Sequence, residues 1–525
     1  MKTFKINKHN GVIFLLLLVA FCGSAISTVG QIYDVRSLGA VGNGVTDNTV
    51  IIQKAIDACA ETGGKVYFPK GTYLTGTLVL KSNVTLFVSG GATLLGSKDI
   101  GKYPYLDGGL HFYGEDWARQ SLIFARDAEN ISIEGTGTID GQGGSFKITT
   151  IKKPDRYKNR PYLLWFVNCR GISVRDIYLR NSAFWMQHYL GCQDVSIDHI
   201  RIWNHSNKNN DMLDLDGCRN VTVSNIIGDS DDDGLTLKST SPLVSEYITI
   251  TNCILSSHCN AIKFGTESTG GFRNVVISNC TIRPSGQKET IYGRPAGTSG
   301  ISLEVADGGI LENVTISNLV IEGPQVPVFI RLGNRGRKYK HDAPEPGTGR
   351  IRNIRISNII ATGADSTGCS ITGIPGFPVE DISLSHILIE FDGGGTAPDQ
   401  FKSVPEAEKD YPEATMFGKL PAYGLYIRHA KNIRLTDITF RYKGKEQRPG
   451  IVVDGTAGFS FSGLDLQTDS LSNAAVYVNK SQYGFITGSD HHWPAMYFLQ
   501  EDTTSERIDV MNCVAGRVRK LIGKD

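Results

Sequence analysis

Short stretches of alternating β-branched and polar residues recur along most of the chain, and most of them directly follow an Asn or Asp. The intervals between successive starts are 26, 27, 27, 39, 40, 28 and 51 residues, which suits solenoid turns, the longer ones holding a loop or a second turn. A unit this short cannot bury its own apolar face, so the pattern predicts an all-β parallel β-helix whose turns stack. The stretches begin at Val195, Val221, Ile248, Val275, Val314, Ile354, Ile382 and Ile433.

Two residue types recur at fixed places in these units. The first is asparagine: because turns of a parallel coil stack about 4.8 Å apart, the side-chain amides of equivalent asparagines can form a hydrogen-bonded ladder in a bend. Cys169, Cys192 and Cys218 each stand three residues before a strand, which predicts a column of buried thiols, with a disulfide as the alternative. The ladder is predicted four residues after the first strand position, at Asn225, Asn252, Asn279, Asn318 and Asn358.

The segments outside the repeats predict a cap and several loops. Ile52, Ala55, Ile56 and Cys59 share one face at helical spacing, and Asp47 precedes them as a candidate cap. Such a helix would cover the unpaired strands at the N-terminal end of the coil. Few strand patterns and many Pro, Gly and charged residues predict projecting loops, where binding residues are usually found, over 142–162, 283–298, 334–350 and 391–421.

The N-terminus has the pattern of a secretory signal peptide. Three lysines precede an apolar run over 12–21, and small residues follow. Ten apolar residues are too few to span a bilayer. Cys22 raises lipid anchoring as an alternative, which bulky Phe21 disfavours. We therefore expect residues 1–30 to be removed, residues 31–525 to form a single catalytic β-helix domain, and the protein to be secreted or periplasmic.

The overall charge restricts the possible partners. Lys plus Arg number 54 and Asp plus Glu 53, so the formal net charge is +1. A chain this balanced has no global field to attract nucleic acid or an acidic membrane surface. Any charged substrate must be recognised locally. We expect neither nucleic acid nor a membrane span, and we expect a monomer.

The strand that follows each repeat predicts a cluster of titratable groups. Aligning the segments 213–216, 235–238, 260–263 and 301–304 places Asp211, Asp233 and His258 at one equivalent position of three consecutive turns. Equivalent positions lie about 5 Å apart, and Asp232 is adjacent to Asp233. The alignment predicts that these four side chains lie together on the outer wall of the coil.

Clustered carboxyls indicate hydrolysis of a glycosidic bond. Mutual repulsion holds a proton on one carboxyl, which can act as general acid while its neighbours remain basic. A glycosidase needs that division between a proton donor and a carboxylate on the other side of the sugar. The alternative is a calcium-binding loop around Asp229 and Asp231, although ligand spacing typical of such loops is missing. No metal and no cofactor are predicted.

Three ordered motifs resemble glycoside hydrolase family 28, the polygalacturonases and rhamnogalacturonan hydrolases. They are Asn209-Asn-Asp211, Asp231-Asp232-Asp233-Gly and Ser257-His258-Cys259. The segments 35–47 and 135–141 also resemble that family, so the likeness covers roughly residues 33 to 440. The resemblance implies a right-handed, single-stranded, pectin-lyase-like parallel β-helix with an N-terminal capping helix.

The resemblance also implies roles for the clustered residues. Asp232 would be the general acid, and Asp211 and Asp233 would activate the attacking water, with inversion at the anomeric carbon. His258 would support the acid by hydrogen bonding, and Asn209 would bind substrate. One turn of the coil is shorter than the about 6.5–9.5 Å usual for inverting pairs, which leaves the stereochemistry open.

The chain departs from the family in its substrate-binding positions. Family polygalacturonases bind the substrate carboxylate with an Arg-Ile-Lys strand, whereas the corresponding segment here is Ser302-Leu-Glu304. Cys259 and Asp231 replace two family glycines. Candidate binding residues are Lys263 and Arg331 for a carboxylate, with structural neutralisation of stacked charges as the alternative. Trp185 could pack on a sugar face, and Gln187 and His188 could bind hydroxyls, with core packing as the alternative.

Together these observations predict a secreted glycoside hydrolase that cleaves galacturonosyl linkages in pectic polysaccharide, acting on chain ends with inversion. A rhamnogalacturonan hydrolase or related pectic glycosidase is the first alternative. A polysaccharide lyase and a non-catalytic carbohydrate-binding β-helix are further alternatives, because the fold alone does not define the activity.

Overall fold

A computed structural model describes residues 30–524, and the predicted signal peptide lies outside these residues except for Gly30. The described chain contains one α-helix, α1 (Thr49–Thr62), a few short 3-10 turns and 39 strands. Within this range no helix has the length and apolarity that a membrane crossing requires.

The strands of the N-terminal half are β1 (Gln31–Asp34), β2 (Asn43–Asp47), β3 (Gly64–Phe68), β4 (Gly71–Thr75), β5 (Leu78–Val79), β6 (Val84–Val88), β7 (Ala92–Gly96), β8 (Ser121–Arg126), β9 (Glu129–Glu134), β10 (Thr138–Asp140), β11 (Tyr162–Val167), β12 (Arg170–Arg175), β13 (Tyr178–Arg180), β14 (Gln187–Leu190), β15 (Gln193–Asp198), β16 (Arg201–Asn204), β17 (Leu213–Asp216), β18 (Arg219–Ser224), β19 (Ile227–Ser230), β20 (Leu235–Ser239), β21 (Ser245–Thr251), β22 (Ile254–Ser257) and β23 (Asn260–Ser268). The remaining strands are β24 (Phe272–Ile282), β25 (Ser299–Val305), β26 (Ile310–Glu322), β27 (Val326–Leu332), β28 (Arg350–Ala364), β29 (Cys369–Thr372), β30 (Val379–Phe391), β31 (Leu425–Arg428), β32 (Ala430–Tyr442), β33 (Ile451–Asp454), β34 (Ala457–Leu466), β35 (Ala474–Asn479), β36 (Gln482–Thr487), β37 (Ala495–Glu501), β38 (Glu506–Met511) and β39 (Val518–Lys524).

The strands form two long parallel sheets, one of 24 strands and one of 15. Each strand pairs with the equivalent strand of the next turn, so Val195, Val221, Ile248, Val275 and Val314 are consecutive partners, as predicted. The chain is thus a right-handed parallel β-helix. The 15-stranded sheet comprises β5, β8, β11, β14, β17, β20, β23, β25, β27, β29, β31, β33, β35, β37 and β39.

The interior of the coil is a continuous apolar column. Along β18, Val221 and Val223 are buried while the residues between them are exposed, and the same alternation repeats in β24 and β26. Alternate side chains of a strand point to opposite faces, so one face of each turn stacks on the next and excludes water. Burial of these columns is the main stabilising contribution.

Asparagines occupy the predicted bends. All five adopt the left-handed conformation, with φ between 56° and 60°, which Asn tolerates better than most residues. The ladder is continuous at one end: Asn358 Nδ2 donates to Asn318 Oδ1 (2.9 Å), and Asn318 Nδ2 donates to Asn279 Oδ1 (3.1 Å). Asn225 instead donates to Asp198 (2.8 Å), because His199 occupies the equivalent left-handed position one turn earlier. The predicted ladder is therefore confirmed in part.

The helix α1 covers the N-terminal end of the coil. Its buried residues are the four predicted ones, Ile52, Ala55, Ile56 and Cys59, and it contacts β1, β3 and β5. The N-cap is Asn48 rather than Asp47, because the helix begins at Thr49. Asp47 accepts a hydrogen bond from the Thr49 amide (2.9 Å) and so contributes to the same helix start. The helix protects strands that would otherwise present open edges.

Candidate active site

A cleft of about 800 Å³ lies on the outside of the coil, at the turns that precede β17, β20 and β23. Its base is formed by residues of the coil, including Trp185, Asn209, Asp211, Asp232 and Asp233. Its walls come from all four segments predicted as projecting loops. These supply Lys153, Arg156 and Tyr157; Tyr292, Gly293, Arg294 and Thr298; Arg335 and Arg337; and Tyr411, Glu413 and Thr415.

The three predicted carboxyls line this cleft together. Asp233 accepts hydrogen bonds from Lys263 Nζ (3.0 Å) and Asn260 Nδ2 (2.7 Å). Both donors are buried, and Lys263 Nζ also lies 3.3 Å from the Tyr411 hydroxyl. Burial lowers the pKa of Lys263, but Asp233 together with Tyr411, Glu304 and Glu413 raises it by more, so the lysine remains charged. A charged lysine and an amide donor hold Asp233 as a carboxylate.

Asp211 shares a second buried lysine with its neighbour Asp214. Lys238 Nζ lies 3.5 Å from a carboxylate oxygen of each, and it lies over the ring of Trp185 at 4.5 Å. Burial raises the pKa of Asp211 well above its usual value, Asp214 and Asp232 raise it further, and Lys238 opposes the shift. Lys238 therefore offsets part of the repulsion within the cluster.

Asp232 has a different environment from the other two carboxyls. Among residues 30–524, no cationic side chain lies within 4.0 Å of it, and its nearest side-chain donor is Asn209 Nδ2 at 3.5 Å. Burial raises the pKa of Asp232 to about 7, and Asp233 adds to this rise, while Lys263 and Lys238 oppose it. Asp232 thus retains a proton more readily than an exposed carboxyl does, and it does so without a paired lysine of the kind that Asp211 and Asp233 have.

His258 lies beneath the cleft rather than on its surface. Its Nδ1 contacts Asp231 Oδ1 (2.9 Å) and its Nε2 contacts the Gln287 carbonyl (2.9 Å). Burial lowers the pKa of His258, but these two acceptors raise it by more. Two acceptors require two N–H donors, which favours the imidazolium form. In the described chain His258 makes no hydrogen bond to Asp232, so any support that it gives the acid is indirect.

Asp231, which replaces a family glycine, anchors the loop over 283–298. It accepts hydrogen bonds from the backbone amides of Ile291 (2.8 Å) and Tyr292 (2.9 Å) as well as from His258. Asp229 accepts from the Ser285 hydroxyl (2.7 Å) of the same loop. These carboxylates face hydrogen-bond donors rather than a common point, which argues against the calcium-loop alternative.

One group of side chains has the composition of a metal site. Ligand atoms of His205, Asp231 and His258 lie within 4.8 Å of one another. Both nitrogens of His258 already contact oxygen acceptors, and both oxygens of Asp231 accept backbone amides. A metal ion requires a neutral imidazole with a free lone pair. The arrangement is therefore better suited to a hydrogen-bond network.

The alignment that placed Lys263 beside Lys238 is wrong by two residues. The structure pairs Leu235 with Ile262 and Leu237 with Phe264, so Lys263 lies beside Thr236. Ser230 correspondingly pairs with Ser257, which puts His258 opposite Asp231 rather than Asp233. Apolar side chains stacked in the interior determine the register, whereas the two lysines are free to occupy different columns.

Several predicted substrate-binding residues lie outside the cleft lining. Gln187 and His188 are fully buried; His188 Nε2 contacts Asp216 Oδ2 (2.9 Å), and Gln187 donates to the Met212 carbonyl (3.3 Å). Arg331 is 2% exposed and donates to the carbonyls of Gly373 (3.0 Å) and Glu406 (2.6 Å). Gln187, His188 and Arg331 thus make their contacts with other residues of the protein and do not line the cleft. Lys263 contacts Asp233 from the buried side. Of the six predicted substrate-binding residues, only Asn209 and Trp185 line the cleft.

The segment that replaces the Arg-Ile-Lys strand carries no cation. Glu304 is fully buried and accepts a hydrogen bond from the Ser302 hydroxyl (2.5 Å). Burial raises the pKa of Glu304 to about 8, against an opposing effect of Lys263. A neutral, buried carboxyl group cannot bind a substrate carboxylate by charge, so recognition of an acidic sugar must come from elsewhere in the cleft.

Sequence reasoning missed most residues of the cleft walls. Arg156, Tyr292, Tyr411 and Glu413 all line the cleft, yet they lie in segments without periodicity, so no alignment of turns reaches them. Their loops were identified as projecting, but the direction of a loop depends on contacts such as those of Asp231, which the repeat pattern does not contain. Lys238 was not predicted as a site residue, although it lines the cleft and pairs with Asp211.

The fold and this carboxyl cluster define a glycoside hydrolase, and comparison with known proteins gives its family. Residues 67–409 match the model of the glycosyl hydrolases family 28, and the chain belongs to this family. It is 28% identical over 398 residues to a protein named "Probable polygalacturonase" of Vitis vinifera, covering 71% of this chain and 77% of that one. It is 25% identical over 394 residues to an exo-poly-alpha-D-galacturonosidase of Dickeya chrysanthemi, covering 65% and 64%. The exopolygalacturonase structure from Thermotoga maritima has a TM-score of 0.60 and 22% identity, covers 78% of this chain and 92% of that one, and supports the fold.

Proposed function

We propose that the protein hydrolyses galacturonosyl linkages in pectic polysaccharide. The observation that carries the proposal is the division within the carboxyl cluster, in which Asp232 retains a proton and Asp233 is held as a carboxylate by Lys263. Hydrolysis of a glycosidic bond needs one group of each kind. The names of the two relatives, which refer to galacturonan, support the choice of substrate.

In the proposed reaction Asp232 donates its proton to the glycosidic oxygen as the bond to the anomeric carbon breaks. Asp233 accepts a proton from water, and the resulting oxygen forms the new bond to that carbon. The products are a reducing sugar and an alcohol on the leaving saccharide. Asp211, which pairs with Lys238, orients the water together with Asp233. General acid and base assistance each contribute about 10²–10⁴-fold.

Two buried groups act on these carboxyls without contacting substrate. Lys263 stabilises the ionised form of Asp233, and His258 fixes Asp231, the residue directly before the acid. Both are positioning residues in this proposal. The imidazolium of His258 also binds the Gln287 carbonyl, and so it connects the acid to the loop that carries Tyr292.

The mode of action, the stereochemistry and the site of action are proposed together with the reaction. Loops on all sides of the cleft favour binding of a chain end, and the Dickeya relative is named for exo action. Mixed oligomers among the first products would contradict exo action. Inversion is implied by the family resemblance, and the anomer released first, followed by NMR, would test it. Secretion is proposed from the sequence of the N-terminal segment.

The substitution Asp232→Asn tests the proposed function. It removes the proton donor while keeping the shape, so kcat on galacturonan oligosaccharides should fall by about 10²–10⁴-fold with an unchanged melting temperature. Reducing ends and product masses provide the measurement. Asp194→Asn is the matched control, because Asp194 lies on the outer face of the coil and pairs with Arg170 (2.8 Å); its activity should equal that of the unsubstituted protein.

The same assay separates the alternatives. Hydrolysis adds one water to each product, whereas a lyase yields an unsaturated product that absorbs ultraviolet light. A non-catalytic binding protein would retain its binding and show no turnover before or after Asp232→Asn. Cleavage of rhamnogalacturonan but not of homogalacturonan would move the assignment to the related pectic hydrolases.

A further inference from the structure

The cleft contains two cations that have no acidic partner. Six cationic side chains line it, and four of these pair with carboxylates: Lys238 with Asp211, Arg294 with Asp365, Arg335 with Asp307, and Arg337 with Asp307 and Glu267. Lys153 and Arg156 have no carboxylate within 4.0 Å anywhere in residues 30–524. Both belong to the loop over 142–162, which extends over the cleft.

Neighbouring groups hold this pair in place. The Arg156 guanidinium lies over the ring of Tyr157 at 4.9 Å, and Tyr157 stacks on Trp117 at 4.4 Å. The Nε of Arg156 is shielded from solvent and has no hydrogen-bond partner among the described residues. The pKa of Lys153 is lowered, first by partial burial and then by the positive charges of Arg156 and Arg337. Positive charge is thus concentrated here without an internal counter-charge.

The pair lies close to the proposed proton donor. Arg160 Nη1 donates to the Arg156 carbonyl (3.2 Å) and lies 3.4 Å from Asn209 Oδ1, and Asn209 Nδ2 lies 3.5 Å from Asp232 Oδ2. Arg156, Tyr292 and Asp232 all line the same cleft. The hydroxyl of Tyr292 is buried without a hydrogen-bond partner in the described chain. A substrate bound at Asp232 would therefore have Tyr292 and Arg156 beside it.

We propose that Lys153 and Arg156 form the subsite for a uronate carboxylate of the bound chain, in place of the missing Arg-Ile-Lys strand. Arg156 offers the planar fork that fits a carboxylate in two hydrogen bonds, and Lys153 adds a mobile second charge. Because Arg156 is preorganised on Tyr157, its ordering cost on binding is small. This inference rests on the proposed function for the nature of the substrate, and it names the residues that select an acidic sugar over a neutral one.

Binding to an inactive form of the protein tests the proposal independently of turnover. In the Asp232→Asn background, trigalacturonate and its methyl ester are titrated by calorimetry. The acid should bind more tightly than the ester. Adding Arg156→Gln should weaken binding of the acid by about tenfold, which corresponds to about 1.4 kcal/mol, and leave binding of the ester unchanged. Arg156→Lys should recover part of the loss, and Lys153→Gln should act in the same direction.

The matched control is Lys158→Gln, in the same loop, because Lys158 is exposed, pairs with Asp155 (2.8 Å) and lies outside the cleft lining. Its binding of the acid should equal that of the background protein. Equal affinity for acid and ester, or an equal effect of Arg156→Gln on both, would overturn the subsite. Absence of hydrolysis by the unsubstituted protein would instead count against the proposed function, while the charge dependence of binding would still decide this inference.

Discussion

Within residues 30–524 no cationic side chain lies within 4.0 Å of Asp232, unlike Asp211 and Asp233, and this difference predicts how activity depends on pH. With a pKa of about 7, Asp232 is protonated below that pH and ionised above it. Since the reaction needs the protonated form, kcat/KM should fall about tenfold per pH unit above pH 7. Initial rates between pH 4 and 9 on a galacturonate oligosaccharide would show this limb. A rate that still rises between pH 7 and 9 would exclude Asp232 as the acid.

Individual site residues were predictable only in part. Asp211, Asp232 and Asp233 were found because three motifs recur at one-turn spacing, and the structure brings them to one cleft. Lys263 was placed in the wrong column because the alignment matched two lysines, whereas Ile262 and Phe264 determine the register by stacking on Leu235 and Leu237. The contacts of Arg331 were not predictable, because a sequence does not show that carbonyls of Gly373 and Glu406 occupy its guanidinium.

At the scale of strands and bends, the asparagine ladder makes a measurable contribution to stability. Asn318 has φ of 60°, donates one ladder hydrogen bond and accepts another. Asn318→Ala should reduce the free energy of unfolding by about 2 kcal/mol, since Ala disfavours this conformation and both hydrogen bonds are lost. Asn318→Gly loses the same hydrogen bonds but adopts the conformation freely, so its loss should be smaller. Denaturant unfolding of both variants would test this, and equal losses would contradict the conformational term.

The regular elements were more predictable than the loops between them. Alternating apolar positions gave the strands, and the spacing of Ile52, Ala55, Ile56 and Cys59 gave the buried face of α1. Loop directions were not predictable, because they depend on single contacts such as those from Asp231 to the amides of Ile291 and Tyr292. Nothing in the repeat pattern specifies those contacts.

At the scale of the whole molecule, the stacking of turns predicts that a destabilising substitution at one end of the coil lowers the stability of the nearby turns and not of distant ones. Ile56 is fully buried on the inner face of α1, and Ile56→Ala should cost about 2–5 kcal/mol. Because each turn contacts only its neighbours, hydrogen exchange should accelerate in β1–β4, whereas β17, β20 and β23 should keep their protection. An equal loss of protection along the whole coil would contradict this. Ile227→Ala, on the exposed face of β19, is a control for loss of apolar volume without burial.

The proposed catalytic carboxyls belong to the coil, whereas Lys153 and Arg156, which have no acidic partner within residues 30–524, belong to a projecting loop. In this proposal, bond cleavage and sugar preference therefore depend on residues in separate segments of the chain. The backbone that holds the carboxyls must satisfy the stacking of every adjacent turn and so tolerates little change. Lys153 and Arg156 lie in the part of the loop over 142–162 that does not stack between turns, so substitutions there can change the sugar that the proposed subsite prefers without rebuilding the carboxyl cluster.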